Sequence, residues 1–163
     1  MSLSHSHRGV LRGIHCSQYA KLVTVLNGAI YDVVVDLRHD SPTFRRWCAV
    51  ILSSQNRRQL HIPAGCGHAF LCLEAADVLY LQSGCFNPPN EVDVNVFDNV
   101  LDIHWPELGV NYIMSEKDRK APGILDVSLF TDILPRSINT LDRVLIVGAS
   151  GQVGGALLES FGP

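Results

Sequence analysis

Several features that mark particular protein classes are missing from this chain of 163 residues. No apolar run is long enough to span a bilayer, and the N-terminus lacks the layout of a signal peptide. The reading is a soluble cytoplasmic protein with no membrane partner. No basic excess is present: 13 Lys and Arg face 16 Asp and Glu, for a net charge of -3. Nothing in that balance points to nucleic acid. The five cysteines, Cys16, Cys48, Cys66, Cys72 and Cys85, are odd in number and contain no Cys-x-x-Cys pair. That excludes a disulfide framework and a zinc ribbon and predicts reduced thiols. Repeats and low-complexity segments are absent too.

What is present is an alternation of short strands and turns. "KLVTVLNGAIYDVVVDL" (21–37) sets two β-branched runs around Asn27-Gly28, a strong hairpin signal. "WCAVILS" predicts another strand, and "QLHIPAGCGHAFLCLE" holds two more around a Pro-Gly turn. "DVLYLQSG" and "EVDVNVFD" continue the pattern. The opening "MSLSHSH" is polar and carries no strand signal. No amphipathic helix is expected before about residue 125. The fold expected is all-β, an antiparallel sandwich or barrel. After Pro122 the character changes. A short helix is expected in "GILDVSLFTDIL" and a linker in "PRSINTLDR". A strand at 143–147 then runs into a glycine-rich turn and a helix.

The chemistry-bearing residues are sparse. His15 lies in "GVLRGIH" beside Arg12, and His68 lies in "IPAGCGH". Histidine suits proton transfer near neutral pH, but a lone histidine is more often structural. "DLRHDSPTF" and "SEKD" would alone be solvated loops. Taken singly, Tyr80 reads as a core tyrosine, Phe86 as packing, and Lys117 and Glu91 as surface charge.

In combination they read differently. "GVLRGIH", "KLVTVLNGAIYDVVVDLRHDSPTF", "LSSQNRRQLHIPAGCGHAF", "VLY", "IHWP" and "SEKDRKAP" follow one another over 8–122. This order closely resembles the deoxythymidine-diphosphate-4-dehydrorhamnose 3,5-epimerase family, over about the first three quarters of the chain. The resemblance implies a cupin-type jelly-roll barrel over 1–125 and a homodimer. It implies isomerase chemistry on a nucleotide-linked 4-keto-6-deoxy sugar, in the pathway to activated L-rhamnose for bacterial surface polysaccharides. It also implies the roles. His15 matches the general base, Asp118 the carboxylate paired with it, Tyr80 the general acid, and Lys21 the cation near the developing oxyanion. Arg12, His68, Glu91 and Lys117 match polar contacts to substrate, and Phe86 an aromatic stacked on the thymine. No cofactor is implied. A metal is not expected either, because "GIHCSQ" supplies one histidine where the first cupin motif wants a His-x-His pair.

Three departures from the family pattern bear on substrate and assembly. The N-terminal strands and nucleotide-contacting residues that members usually carry are missing. The loop between His15 and Lys21 is short, as in some epimerases of other nucleotide sugars. "GCGHAF" and "YLQSGCF" differ from the commoner motifs. At the other end, Gly148, Gly151 and Gly154 spell G-x-x-G-x-x-G after a strand, as a dinucleotide fingerprint does. "GASGQVG" resembles the start of dTDP-4-dehydrorhamnose reductase. One βα unit, with no second strand and no ribose-binding acid, is an incomplete cofactor site, so 143–163 reads as a Rossmann-type stub behind a linker at 126–142. Its apolar strand is expected to pack on the barrel, pair with another chain, or fray. Three readings stay open: an epimerase domain of an epimerase–reductase fusion, a non-catalytic nucleotide-sugar-binding relative, and a dehydrogenase resting on the tail alone.

Overall fold

The structure, a computed structural model, describes residues 1–85, 91–127 and, as backbone, 145–147. The strands are β1 (Ser2–Ser6), β2 (Leu11–Cys16), β3 (Lys21–Asn27), β4 (Ala29–Asp36), β5 (Trp47–Ser53), β6 (Gln59–Ile62), β7 (Cys66–Cys72), β8 (Ala76–Gln82), β9 (Val92–Asp93) and β10 (Leu145–Val147). A single turn of helix, α1 (Glu116–Arg119), follows β9. The strands form two five-stranded sheets, in the orders β1-β8-β3-β6-β10 and β5-β4-β7-β2-β9, with every strand pair antiparallel.

The period-2 alternation of the strands decides what lies between the sheets. Val23 and Val25 on β3, Ile30 and Val34 on β4, Leu60 and Ile62 on β6, Cys66, Phe70 and Cys72 on β7, and Ala76 and Val78 on β8 make one buried cluster. The opposite faces of β2, β4 and β7 carry a second cluster, in which Leu11, Ile14, Val33, Val35 and Leu71 pack under Val92, Val94, Val96, Leu101 and Ile124. The excursion from 92 to 127 is therefore a cover on the second sheet. Four cysteines are buried and none is bridged. Burial pushes Cys16 and Cys48 up to about 12 and Cys72 up to about 11, so these thiols stay protonated and serve as packing groups.

The expected hairpin turns at Gly28, whose φ of +75° suits glycine and whose place a Cβ would contest, 2.0 Å from the Ala75 carbonyl oxygen. Other expectations need correction. "MSLSHSH" is not outside the fold: β1 pairs along β8 from Ser2↔Tyr80 to Ser6↔Ala76, a register its serines gave no apolar reason to expect. "SEKD" is not a loop but α1, capped by Ser115, whose hydroxyl accepts from the Asp118 amide. Only Val92–Asp93 of "EVDVNVFD" is strand, although the burial of Val92, Val94 and Val96 follows the alternation. Of the helix expected after Pro122, the described part is a turn at 124–126. The remainder of that helix, most of the linker, the glycine-rich turn and the final helix lie outside the described residues. Of the tail's three alternatives the structure displays packing on the barrel: β10 joins β6 antiparallel, from Leu145↔His61 to Val147↔Gln59.

Candidate active site

The site follows from one irregularity in β2. Simple alternation in "LRGIH" would place His15 on the face opposite Arg12. Instead Arg12 pairs with Phe70 and His15 with His68, so three steps along β2 match two along β7. This bulge turns Ile14 into the outer cluster and returns His15 to the interior face. Gly13 permits it, with φ +116° and a backbone so close to β7 that a Cβ would stand 2.5 Å from the Ala69 Cβ. On the far side of β2, His15 pairs with Asp93 while Cys16 pairs with Val92, so the acidic side of "EVDV" faces the histidine and its valines face the core.

His15 is held by a residue 103 positions away. Its Nε2 donates to Asp118 Oδ1 at 2.7 Å, with Asp93 Oδ1 farther off at 3.8 Å. Asp118 is buried, and burial alone would raise its pKa. The His15 hydrogen bond and charge, the Ser115 contact and Lys117 outweigh that and hold it below the ordinary carboxylate value. Nε2 is thus committed to a carboxylate, and Nδ1 has no partner among the described residues. A histidine so oriented is competent to take a proton.

The other sheet supplies the opposing groups. Lys21 opens β3, is buried, and brings its Nζ to 3.5 Å from the His15 carbonyl oxygen. Burial lowers its pKa, against Glu91, Asp32 and Asp93, which favour the charged form. Tyr80 on β8 has its phenol pushed up by burial, so the hydroxyl keeps its proton. Its ring stands edge-on to His68 at 6.1 Å. His68 Nε2 in turn contacts Asp32 Oδ1 at 2.8 Å. Asp32 is fully buried, its second oxygen lacks a partner among the described residues, and burial raises its pKa despite His68 and Lys21.

Of the residues expected from sequence, His15, Asp118, Lys21, His68 and Tyr80 converge on one interior. Arg12 shares the His15 face of β2 and donates from Nε to Ser6 Oγ at 3.2 Å. Glu91 is engaged by the protein itself, accepting from Ser17 Oγ at 2.7 Å and Tyr19 Oη at 2.8 Å. Lys117 pairs with Asp93 at 2.9 Å. Phe86, Gly148, Gly151 and Gly154 lie outside the described residues. Asp32 and Asp93 were missed, yet each left a trace: a carboxylate in the apolar run "YDVVV", and one set among alternating valines. "DLRHDSPTF" holds a structural knot instead of a solvated loop. Asp36 accepts from the Arg38 guanidinium through two bonds of 2.8 Å and from Ser41 and Thr43. Among the described residues no group of three or more His, Cys, Asp or Glu side chains is arranged to hold a metal ion, and no helix is long and apolar enough to cross a membrane.

Two antiparallel sheets closed over an interior of histidines, lysine and tyrosine define a cupin-type jelly roll. The profile of the family described as dTDP-4-dehydrorhamnose 3,5-epimerase matches residues 1–126. The chain belongs to that family. It is 47% identical over 129 residues to the dTDP-4-dehydrorhamnose 3,5-epimerase of Streptomyces griseus, covering 76% of this chain and 64% of the relative. It is 39% identical over 127 residues to the dTDP-4-dehydro-6-deoxyglucose 3-epimerase of Streptomyces bikiniensis, covering 75% and 64%. The match thus spans just under two thirds of these two relatives. A solved dTDP-6-deoxy-D-glucose-3,5-epimerase from Legionella pneumophila, in complex with dTDP-4-keto-L-rhamnose, superposes with a TM-score of 0.78 at 40% identity. That superposition covers 85% of this chain and 74% of that one.

Proposed function

We propose that the chain is an isomerase that epimerises dTDP-4-dehydro-6-deoxy-D-glucose at carbons 3 and 5 to give dTDP-4-dehydro-L-rhamnose, a step toward activated L-rhamnose. The observation that carries this reading is the placement of His15 and Tyr80 on opposite sheets around one interior. Epimerisation needs a base on one face of the sugar and an acid on the other. His15, oriented by Asp118, takes the proton from the carbon next to the ketone. The electron pair moves into the carbonyl to give an enolate, whose oxygen is stabilised by the Lys21 ammonium. Tyr80, still protonated, returns a proton to the carbon from the other face, and solvent restores both groups. Arg12 and Lys117 supply cations for the diphosphate, with His68 and Glu91 as further polar contacts and Phe86 as the stacking aromatic.

Incubation with the 4-keto-6-deoxyglucose nucleotide in deuterium oxide tests the proposal. Deuterium entering at carbons 3 and 5, with inversion, supports it. Binding without exchange supports a non-catalytic nucleotide-sugar-binding protein. Exchange at carbon 3 alone would match the activity named for the Streptomyces bikiniensis relative and make the substrate preference that of a single-carbon epimerase. NADPH oxidation by this chain alone would support the dehydrogenase reading of its tail.

The same proposal includes a homodimer, a cytoplasmic setting and an epimerase–reductase fusion. Leu3, Leu26 and Leu81, all exposed on the first sheet, favour a second copy as partner. The buried, unbridged thiols suit a reducing compartment. The apolar strand ahead of Gly148, Gly151 and Gly154 favours a reductase-like neighbour. Light scattering checks the first of these.

A further inference from the structure

The short loop between β2 and β3 carries two hydroxyls that the proposed reaction does not use. Ser17 is buried, and its Oγ donates to one oxygen of Glu91 at 2.7 Å. Tyr19 donates to the other at 2.8 Å and accepts from Gln82 Nε2 at 3.3 Å. Both carboxylate oxygens of Glu91 are therefore fixed by one loop. The Lys21 ammonium lies 5.7 Å from the centre of the Tyr19 ring, within cation–π range. The loop is pinned in turn: the Ala20 amide donates to Ser83 Oγ at 2.9 Å, and a Cβ at Gly84 would come within 2.9 Å of the Tyr19 Cβ.

We infer that Ser17 and Tyr19 are positioning residues, which hold the Glu91 carboxylate as the fixed counter-ion of Lys21 and cover the Lys21 ammonium with an aromatic face. The inference deepens the proposed function, resting on Lys21 as the cation that meets the enolate. A buried ammonium loses its proton unless negative charge is held nearby. The charged and titratable groups around Lys21 are Cys16 on β2, Asp32 on β4, Asp93 on β9 and Glu91. Glu91 acts on it most strongly of the four. Asp32 and Asp93 are already engaged, with His68 and with Lys117. Glu91 is the one whose partners come from the loop just ahead of Lys21. This makes the loop a determinant of the pH range over which the site keeps its cation.

The chain contains only three lysines, Lys21, Lys117 and Lys120, so selective lysine labelling gives three side-chain NMR signals, two of them from exposed groups. In the intact chain without substrate, the Lys21 signal is followed against pH in the wild type, Tyr19→Phe, Ser17→Ala and Glu91→Gln. The expected result is a Lys21 midpoint lowered by about one pH unit in Glu91→Gln and by about half a unit or more in Tyr19→Phe and Ser17→Ala. Lys117 and Lys120 should stay unmoved. In the wild type a nuclear Overhauser contact between the Lys21 ε-protons and the Tyr19 ring is expected, and its absence overturns the inference without any variant. Unchanged Lys21 midpoints in Ser17→Ala and Tyr19→Phe overturn it as well, whatever Glu91→Gln does. If only one of those two folds, that one decides. In turnover, the basic limb of kcat/KM should move to lower pH in Tyr19→Phe, which a packing role would not cause. The titration needs no catalysis, so an absence of epimerisation would refute the proposed function and leave this result readable.

Discussion

His15 Nε2 and Asp118 Oδ1 lie 2.7 Å apart across 103 residues of chain. The contact depends on one helical turn, α1, whose Ser115 cap fixes the backbone of Asp118 and whose other side chains are exposed. Asp118→Asn preserves the size of the side chain and removes its charge, so the imidazolium formed on proton abstraction loses its counter-ion. The expected outcome is a fall in kcat of about 10²–10⁴-fold, with dTDP affinity changed only a few-fold. Steady-state kinetics beside a dTDP titration checks both halves.

The opposed placement of His15 and Tyr80 predicts that two substitutions fail differently. His15→Ala removes the base, so solvent deuterium no longer enters the sugar while nucleotide binding stays nearly intact. Tyr80→Phe keeps the base and removes the acid. The enolate still forms, and His15 returns a deuteron to the face it came from. Recovered substrate should then carry deuterium without inversion, and product formation should fall about 10²–10⁴-fold. Mass spectrometry together with NMR of the sugar distinguishes the two. Retained exchange in His15→Ala would refute the assigned base.

The strands were legible where alternation was clean. β3, β4, β5, β7 and β8 stand where "KLVTV", "AIYDVVV", "WCAVILS", "CGHAFLC" and "DVLYL" put them. β1 was not legible, because its inward serines pair with β8 and carry no apolar signal. Nor was the face of His15, which depends on a bulge that period-2 counting misreads. His15, Asp118 and Tyr80 were named through family resemblance, since spacing alone cannot announce a contact across 103 residues. Asp32 needed the fold: a carboxylate in a valine run reads as an exception until His68 is seen beside it. The division at residues 125 and 142 stays a proposal, and the core supports it, since both buried clusters are built from residues no later than Ile124.

Gly13 carries the turn that brings His15 inward, so Gly13→Ala should harm fold and site together. The new methyl would meet the Ala69 Cβ at 2.5 Å and the His68 carbonyl oxygen at 2.6 Å, at a φ of +116° that L-residues avoid. Strained backbone and overpacking together set the expected loss at about 2–4 kcal/mol. A lowered urea midpoint with unchanged m-value checks this. Activity per folded molecule should fall too, because relief of the clash pushes β2 away from β7 and displaces His15 from Asp118.

Asp36 lies in neither the base nor the acid assembly, and its loss should appear as instability. Burial would raise its pKa, but the Arg38 guanidinium, the Ser41 and Thr43 hydroxyls and the Arg38 amide hold it below the ordinary carboxylate value. A carboxylate depressed in the folded state contributes stability that is complete above its unfolded pKa of about 3.9. That contribution is lost as pH falls through the folded value. Asp36→Ala should therefore destabilise the protein by about 3–5 kcal/mol at pH 7, the scale for removing one partner of a buried charged pair. The gap between variant and wild type should narrow below pH 4, where the wild-type carboxylate becomes protonated as well. Thermal unfolding of both proteins from pH 7 down to pH 3 checks this, and a gap that stayed constant with pH would show that packing, not charge, holds the knot.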